Sequence, residues 1–233
     1  LPVNGYHDST RTLSLFYLPA GIAFDADDNL YVVDQGNLRI RKVTPDAGNN
    51  LGVVTTLAGN GEAGDDDGPA LEASFHYPTF LTLDDSGNLY LTDLAGVREI
   101  SSDNNVSTLF SMQNTYEDCQ ENTLIANSLS GIAFDPSGFI YLAALVNDTD
   151  YRILTLHPDN AVSVLAGGGE QGAGYEENET EGTEAAFGFV NGMITYISAV
   201  RPSEMHLDLF AERVRQAREA AHVIRIVRFW RST

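Results

Sequence analysis

Cysteine is nearly absent. Cys119 is the only one in 233 residues, so no disulfide can form within the chain. Lysine is equally scarce: Lys42 is the sole example, and arginine supplies the other basic positions. No run approaches the roughly 18 apolar residues that a membrane-spanning helix needs, so membrane insertion is not expected. The five histidines, His7, His76, His157, His206 and His222, fall singly, without the clustered spacing of a zinc site. A G-x-S-x-G elbow and a P-loop are both missing. These gaps leave no expected catalytic residue, metal ligand or cofactor. No signal peptide is visible ahead of Leu1, so the chain is expected to be processed or an excerpt of something longer.

Charge of one sign is abundant. The formal charge is −20, with 33 acidic residues against 13 basic ones. Such a field repels nucleic acid and anionic lipid, and neither is an expected partner. Three glycosylation sequons, starting at Asn105, Asn147 and Asn178, tilt the expected location towards the cell exterior.

A unit repeats. "GIAFDADDNLYVVD" from Gly21, "FLTLDDSGNLYLTD" from Phe80 and "GIAFDPSGFIYLAA" from Gly131 share one plan. Each has an apolar run, an Asp, turn formers and an alternating apolar run, which is a β-hairpin pattern. A third strand follows in each ("LRIRKV", "VREI", "YRILTL"), and then a fourth ("VVTTLAG", "VSTLFS", "VSVLAGG"). A four-stranded sheet of this kind exposes both faces, and repetition around an axis buries them, which makes a β-propeller. The expected class is therefore all-β, with four-stranded antiparallel blades. Phe24, Leu30, Tyr31, Leu83, Leu89, Tyr90, Phe134, Ile140 and Tyr141 are expected to pack within or between blades.

The connectors repeat too: a Gly-rich entry, an acidic stretch, small residues, then Phe16, Phe75 or Phe187 before the next inner strand. With the "A-x-F-x-x-P" connector and the "G-N-L-Y-V-x-D" and "R-I-R-K-V" strands, the chain resembles the NHL-repeat β-propellers. The resemblance is specific in the first unit, good in the second and looser in the third, where Ala143-Ala144 replaces the strand-ending Asp. It implies six blades. About four are countable here, so residues 1–233 form a single propeller domain that closes on itself or a fragment of a six-bladed ring.

Asp25, Asp27 and Asn29 are spaced like the start of a calcium loop. The same place in the other units reads Asp84 to Asn88 and Asp135 to Phe139, and the Gly and bidentate Glu of a calcium loop are missing. A tight turn capped by Asp is expected instead. Asp34 with Arg39, and Asp93 with Arg98, are expected to form structural ion pairs across the next hairpin, worth under about 1 kcal/mol if exposed. Asp65–Asp67 and the acidic loop at 176–184 are expected to hold no tight calcium.

From Arg201 onward the composition turns basic, with strong helix formers in "AERVRQAREAA". A degenerate last blade over 201–233 with a short helical insertion is expected; a separate terminal helix is the alternative. Two functions stay open. The first is a non-enzymatic scaffold that binds a protein or glycan on a propeller face, with assembly onto further blades or another chain also open. The second is a metal-assisted hydrolase or lyase with an ion in the central channel.

Overall fold

The computed structural model describes residues 5–10, 13–45, 52–112, 115–117, 123–148 and 150–167. The fourth unit, the helical insertion and last blade expected over 201–233, the loop at 176–184, Cys119 and Asn178 lie outside them. The described residues form an all-β propeller of four-stranded antiparallel blades. Their only helical segment is a 3-10 turn, Gln35–Asn37.

Blade 1 holds β2 (Pro19–Phe24), β3 (Leu30–Asp34), β4 (Arg39–Thr44) and β5 (Val53–Ala58), with a short fifth strand, β1 (Ser9–Thr10), on the outer edge of β5. Blade 2 repeats this with β7 (Leu81–Leu83), β8 (Leu89–Thr92), β9 (Gly96–Ile100) and β10 (Asn105–Ser111). There β6 (Gly68–Pro69) takes the fifth place. A small hairpin, β11 (Tyr116–Glu117) with β12 (Thr123–Leu124), leads into blade 3. Blade 3 is β13 (Ala126–Phe134), β14 (Ile140–Val146), β15 (Asp150–Leu156) and β16 (Val162–Ala166).

The connectors into blades 1 and 2 therefore pair first with the outer strand of the blade they enter, then cross that blade's face to reach the inner strand. The crossing segment fills the space between blades. Phe75 and Ala73 lie in one core with Tyr31, Val33 and Ile40 of blade 1 and Leu89, Leu91 and Ile100 of blade 2. A second core joins Tyr90, Val97 and Phe110 of blade 2 to Ile132, Leu142 and Leu154 of blade 3. The alternation of β8 explains this directly, since Leu89 and Leu91 face one neighbour and Tyr90 the other. Inner strands approach closely: Gly21 N–H donates to the Thr79 carbonyl at 2.8 Å, and a Cβ at Gly21 would fall 2.6 Å from that oxygen.

Of the expected core residues, Leu30 and Tyr141 are only half-buried, and Phe24 is not in the core at all. Phe24 is 61% exposed, because its face of β2 points away from blade 2. Phe134, at the same place in blade 3, is half-buried and stacks on Tyr90 at 5.3 Å. Tyr31, Leu89, Tyr90 and Ile140 are buried.

Candidate functional site

The turn between the first two strands is built alike in every described blade. The Asp25 carboxylate accepts from the backbone of Asp27 and Asn29, from Asn29 Nδ2 and from the Tyr31 hydroxyl, at 2.7–3.0 Å. Asp84 holds Ser86, Asn88 and Tyr90 in the same way, and Asp135 holds Ser137, Phe139 and Tyr141. Both oxygens of each Asp are thus engaged in shaping a turn. Burial pushes the Asp25 carboxyl up, but its hydrogen bonds from Asn29, Tyr31 and Asp27 outweigh that, and the group sits below its ordinary value.

The phenols respond in the opposite sense. Burial first, and then the Asp25 hydrogen bond and charge, push Tyr31 up to about 12. Burial and the neighbouring carboxylates raise Tyr90 and Tyr141 as well. A raised phenol favours the neutral form in the fold. Its contribution is complete below the ordinary value of 10.0 and is lost as pH rises through about 12. Alkaline titration followed by phenolate absorbance is expected to show late-ionising tyrosines, one fewer of them in Tyr31→Phe. Ionisation of every tyrosine near 10 would contradict the turn geometry.

A second polar arrangement closes the other end of the hairpin. Arg98 is fully buried and lies between two carboxylates, Asp93 at 3.3 Å and Asp67 at 2.7 Å. Its guanidinium also donates to the Ser74 and Asp66 carbonyls. Asp67 in turn accepts from the Thr108 N–H and hydroxyl, so the connector is clamped to the outer strand. Blade 1 reproduces this atom for atom with Arg41, which meets Asp34 at 2.7 Å and Asp8 at 2.5 Å, while Asp8 holds Thr56. Phe16 and Phe75 lie over the respective guanidinium groups, 5.0 and 5.4 Å from ring centre to carbon.

The partner of Asp34 is therefore Arg41 and not Arg39. Asp34 and Arg39 do face each other in the ladder. The 3-10 turn makes this hairpin two residues longer than the Asp93–Gly96 turn of blade 2, so the arginine opposite the strand interior falls at Arg41 in one blade and Arg98 in the other. Arg39 instead donates to the carbonyls of Asn37 and Asn60 and covers the Tyr6 ring. The Arg41–Asp34 and Arg98–Asp93 pairs are fully buried, so the modest worth of an exposed pair does not apply to them. Burial pushes the Asp93 carboxyl up, against the pull of Arg98 and three backbone donors.

Of the Asp65–Asp67 loop, Asp67 is committed to Arg98 and Thr108, and Asp66 to Ser74. Asp8, Asp67, Thr56 and Thr108 are members that the hairpin pattern did not single out. Their signal is the connector spacing, since Asp8 precedes Phe16 by the same interval as Asp67 precedes Phe75. Blade 3 lacks the cluster. Ala144, Leu154 and Val164 occupy the places of Asp93, Arg98 and Thr108 in the ladder.

The clusters also position a surface. Asp34 accepts from the Tyr17 N–H and Asp93 from the His76 N–H, which pins the residue before Leu18 and Tyr77. Both Leu18 and Tyr77 have positive φ, 50° and 62°, and both precede a proline. That region is strained for bulky side chains and is disfavoured before proline. Both side chains nevertheless point into solvent, as do Leu94 and Ile125, at 43–58% exposure. Main-chain bonds place all four at one end of the blades: Leu94 N–H to the His76 carbonyl, Gly36 N–H to Tyr17, and Asn147 N–H to Ile125. Gln35 of blade 1 reaches the Pro78 carbonyl of blade 2 across this end. Among the described residues, no group of three or more His, Cys, Asp or Glu is placed to hold a metal ion.

Residues 16–43, from Phe16 through the first three strands of blade 1, match the family model of the NHL repeat. The first blade carries an NHL repeat. No curated protein sequence matches the chain. Among solved structures, a protein of unknown function from Bacteroides thetaiotaomicron is 21% identical, covering 75% of this chain and 41% of its own, with a TM-score of 0.51. A gluconolactonase from Xanthomonas campestris is 12% identical over 66% of this chain and 49% of its own, with a TM-score of 0.47. An auxiliary nutrient binding protein from Bacteroides ovatus is 17% identical over 52% of this chain and 33% of its own, with a TM-score of 0.41. The matched part of the chain thus spans less than half the length of each solved structure named here.

Proposed function

We propose that this NHL-type propeller is a non-enzymatic scaffold that binds a protein or glycan partner on the blade end carrying Leu18, Tyr77, Leu94 and Ile125. One observation carries the reading: two bulky residues, Leu18 and Tyr77, are held in left-handed backbone with their side chains in solvent. Each such residue costs on the order of 1–3 kcal/mol. Two blades keep the same strained residue, and each is pinned by a buried Asp–Arg cluster. Ser128 stands at that position in blade 3, where the cluster is missing. Strain and cluster therefore occur together, which supports presentation of an apolar side chain as their joint role. The likeness to the gluconolactonase is one of chain trace and brings no activity to this chain.

The test is Tyr77→Asn, because Asn tolerates positive φ. Binding of the full chain to peptide and glycan arrays is expected to fall at least about tenfold, as for an interface anchor. The thermal midpoint should hold or rise. Unchanged binding in Tyr77→Asn overturns the reading. So does turnover of a lactone or phosphoester by the full chain supplied with a divalent cation.

A further inference from the structure

Blades 1 and 2 each carry a fifth strand on the outer edge of their fourth. Ser9 and Thr10 pair with Val54 and Val53, and Gly68 and Pro69 pair with Val106 and Asn105. In the ladder, Val162 and Ala161 of β16 stand where Val106 and Asn105 stand in β10. Among the described residues, no strand pairs with that edge of β16. An open cavity of about 430 Å³ occupies the place instead, lined by Asn160, Ala161 and Val162 and by Thr115, Tyr116 and Thr123 of the connector. Burial reports the same gap: Val54 and Val106 are 1% and 0% exposed, whereas Val162 is half-buried.

The main chain at this edge is oriented for a further strand. His157 N–H donates to the Ala161 carbonyl, so these two residues form a hydrogen-bonded pair and Leu156 with Val162 the next, non-bonded one. The N–H and carbonyl of Val162 therefore point outward, away from β15, and so do those of Val164. In blade 2 the matching groups are taken. Val106 faces Gly68, Thr108 N–H donates to Asp67, and the Asn104 carbonyl accepts from Ala70 N–H.

The side chains account for the difference. Asp8 and Asp67 are held at their blades by an arginine and a threonine each. Asp118 stands ahead of Ile132 by the interval that separates Asp8 from Ile22 and Asp67 from Leu81. Blade 3 offers that carboxylate only Leu154 and Val164, and burying it there without a partner is costly. The connector pairs with itself in β11 and β12 instead.

We propose that an extended segment of a partner protein fills this place. It adds a fifth strand to blade 3, antiparallel to β16, and carries an apolar side chain where Asp precedes β1 and β6. Blades 1 and 2 show the geometry of the occupant, and Leu154 and Val164 set the side chain it brings. Strand addition of this kind takes affinity from main-chain bonds and specificity from alternate side chains. The site is on the outer edge of a blade and is independent of the end bearing Leu18 and Tyr77.

The probe is a synthetic peptide of residues 5–14 carrying Asp8→Leu, added to the full chain, with amide hydrogen exchange followed residue by residue. Exchange at Val162 and Val164 is expected to slow at least about tenfold. The same peptide with Asp8 retained should bind this edge at least about tenfold more weakly. Val162→Pro removes the outward donor at an edge where proline is tolerated, and should weaken binding at least about tenfold. No slowing at millimolar peptide overturns the proposal. So does equal slowing by the two peptides, or binding undiminished in Val162→Pro. Val162 and Val164 amides already protected in the peptide-free wild type also overturn it, since the connector or a second copy then holds the edge.

Discussion

Arg98→Ala is expected to destabilise the protein by about 3–5 kcal/mol in urea denaturation, the cost of breaking a buried pair by removing one partner. Arg98 is fully buried, and so is Asp93. Truncation leaves the Asp93 carboxylate desolvated and releases the Ser74 and Asp66 carbonyls that the guanidinium holds. Asp67 is half-exposed and can take up water, so most of the loss comes from Asp93. Blade 3 supplies the control. Replacing the inner set with its counterparts, as Asp93→Ala, Arg98→Leu and Thr108→Val together, removes the buried carboxylate along with its arginine and leaves only the half-exposed Asp67 without its partner. That triple variant should lose far less than Arg98→Ala alone, since apolar residues often replace a buried ion pair at little cost. A loss under about 1 kcal/mol for Arg98→Ala would mean the pair is solvated and the cluster is not a clamp.

Phe75→Ala is expected to cost about 3–5 kcal/mol, the range for deleting a large buried aromatic. Phe75 has no exposed surface and packs among Ala58, Ala73, Leu81 and Leu91, between blades 1 and 2. It also covers the Arg98 guanidinium. Phe134→Ala should cost less, because that ring is half-buried and retains only the stack on Tyr90 as a specific contact. The reverse order in denaturation experiments would show that blade junctions, and not the crossing connectors, dominate the core. Phe75 and Arg98 touch, so their losses should not add.

The readable parts of the fold were those that close over short spans. The Asp25, Asp84 and Asp135 turns could be named from sequence because every hydrogen-bond partner lies within six residues. Asp93 and Arg98 could be linked because a tight turn puts them at a fixed offset. The same reasoning chose Arg39 for Asp34 and failed, because a 3-10 turn added two residues that no hydrophobic alternation reports. Asp8 and Asp67 were missed for another reason. They reach their arginines from more than thirty residues away along an irregular connector. Phe24 followed the repeat in sequence but not in burial, since a pattern states which residue type a position carries and says nothing of whether a neighbour lies over it. The strained Leu18 and Tyr77 left no sequence signature beyond the proline that follows each.

The replacement of charge by hydrocarbon in blade 3 gives the chain an uneven response to temperature. Blades 1 and 2 are fastened by guanidinium–carboxylate contacts, whose desolvation penalty shrinks on heating because the hydration of charged groups becomes less favourable. Blade 3 is fastened at the same points by Ala144, Leu154 and Val164, whose burial weakens on cooling. Warming therefore shifts the balance of cohesion towards the blades carrying the strained apolar residues, and cooling loosens first the blade that lacks them.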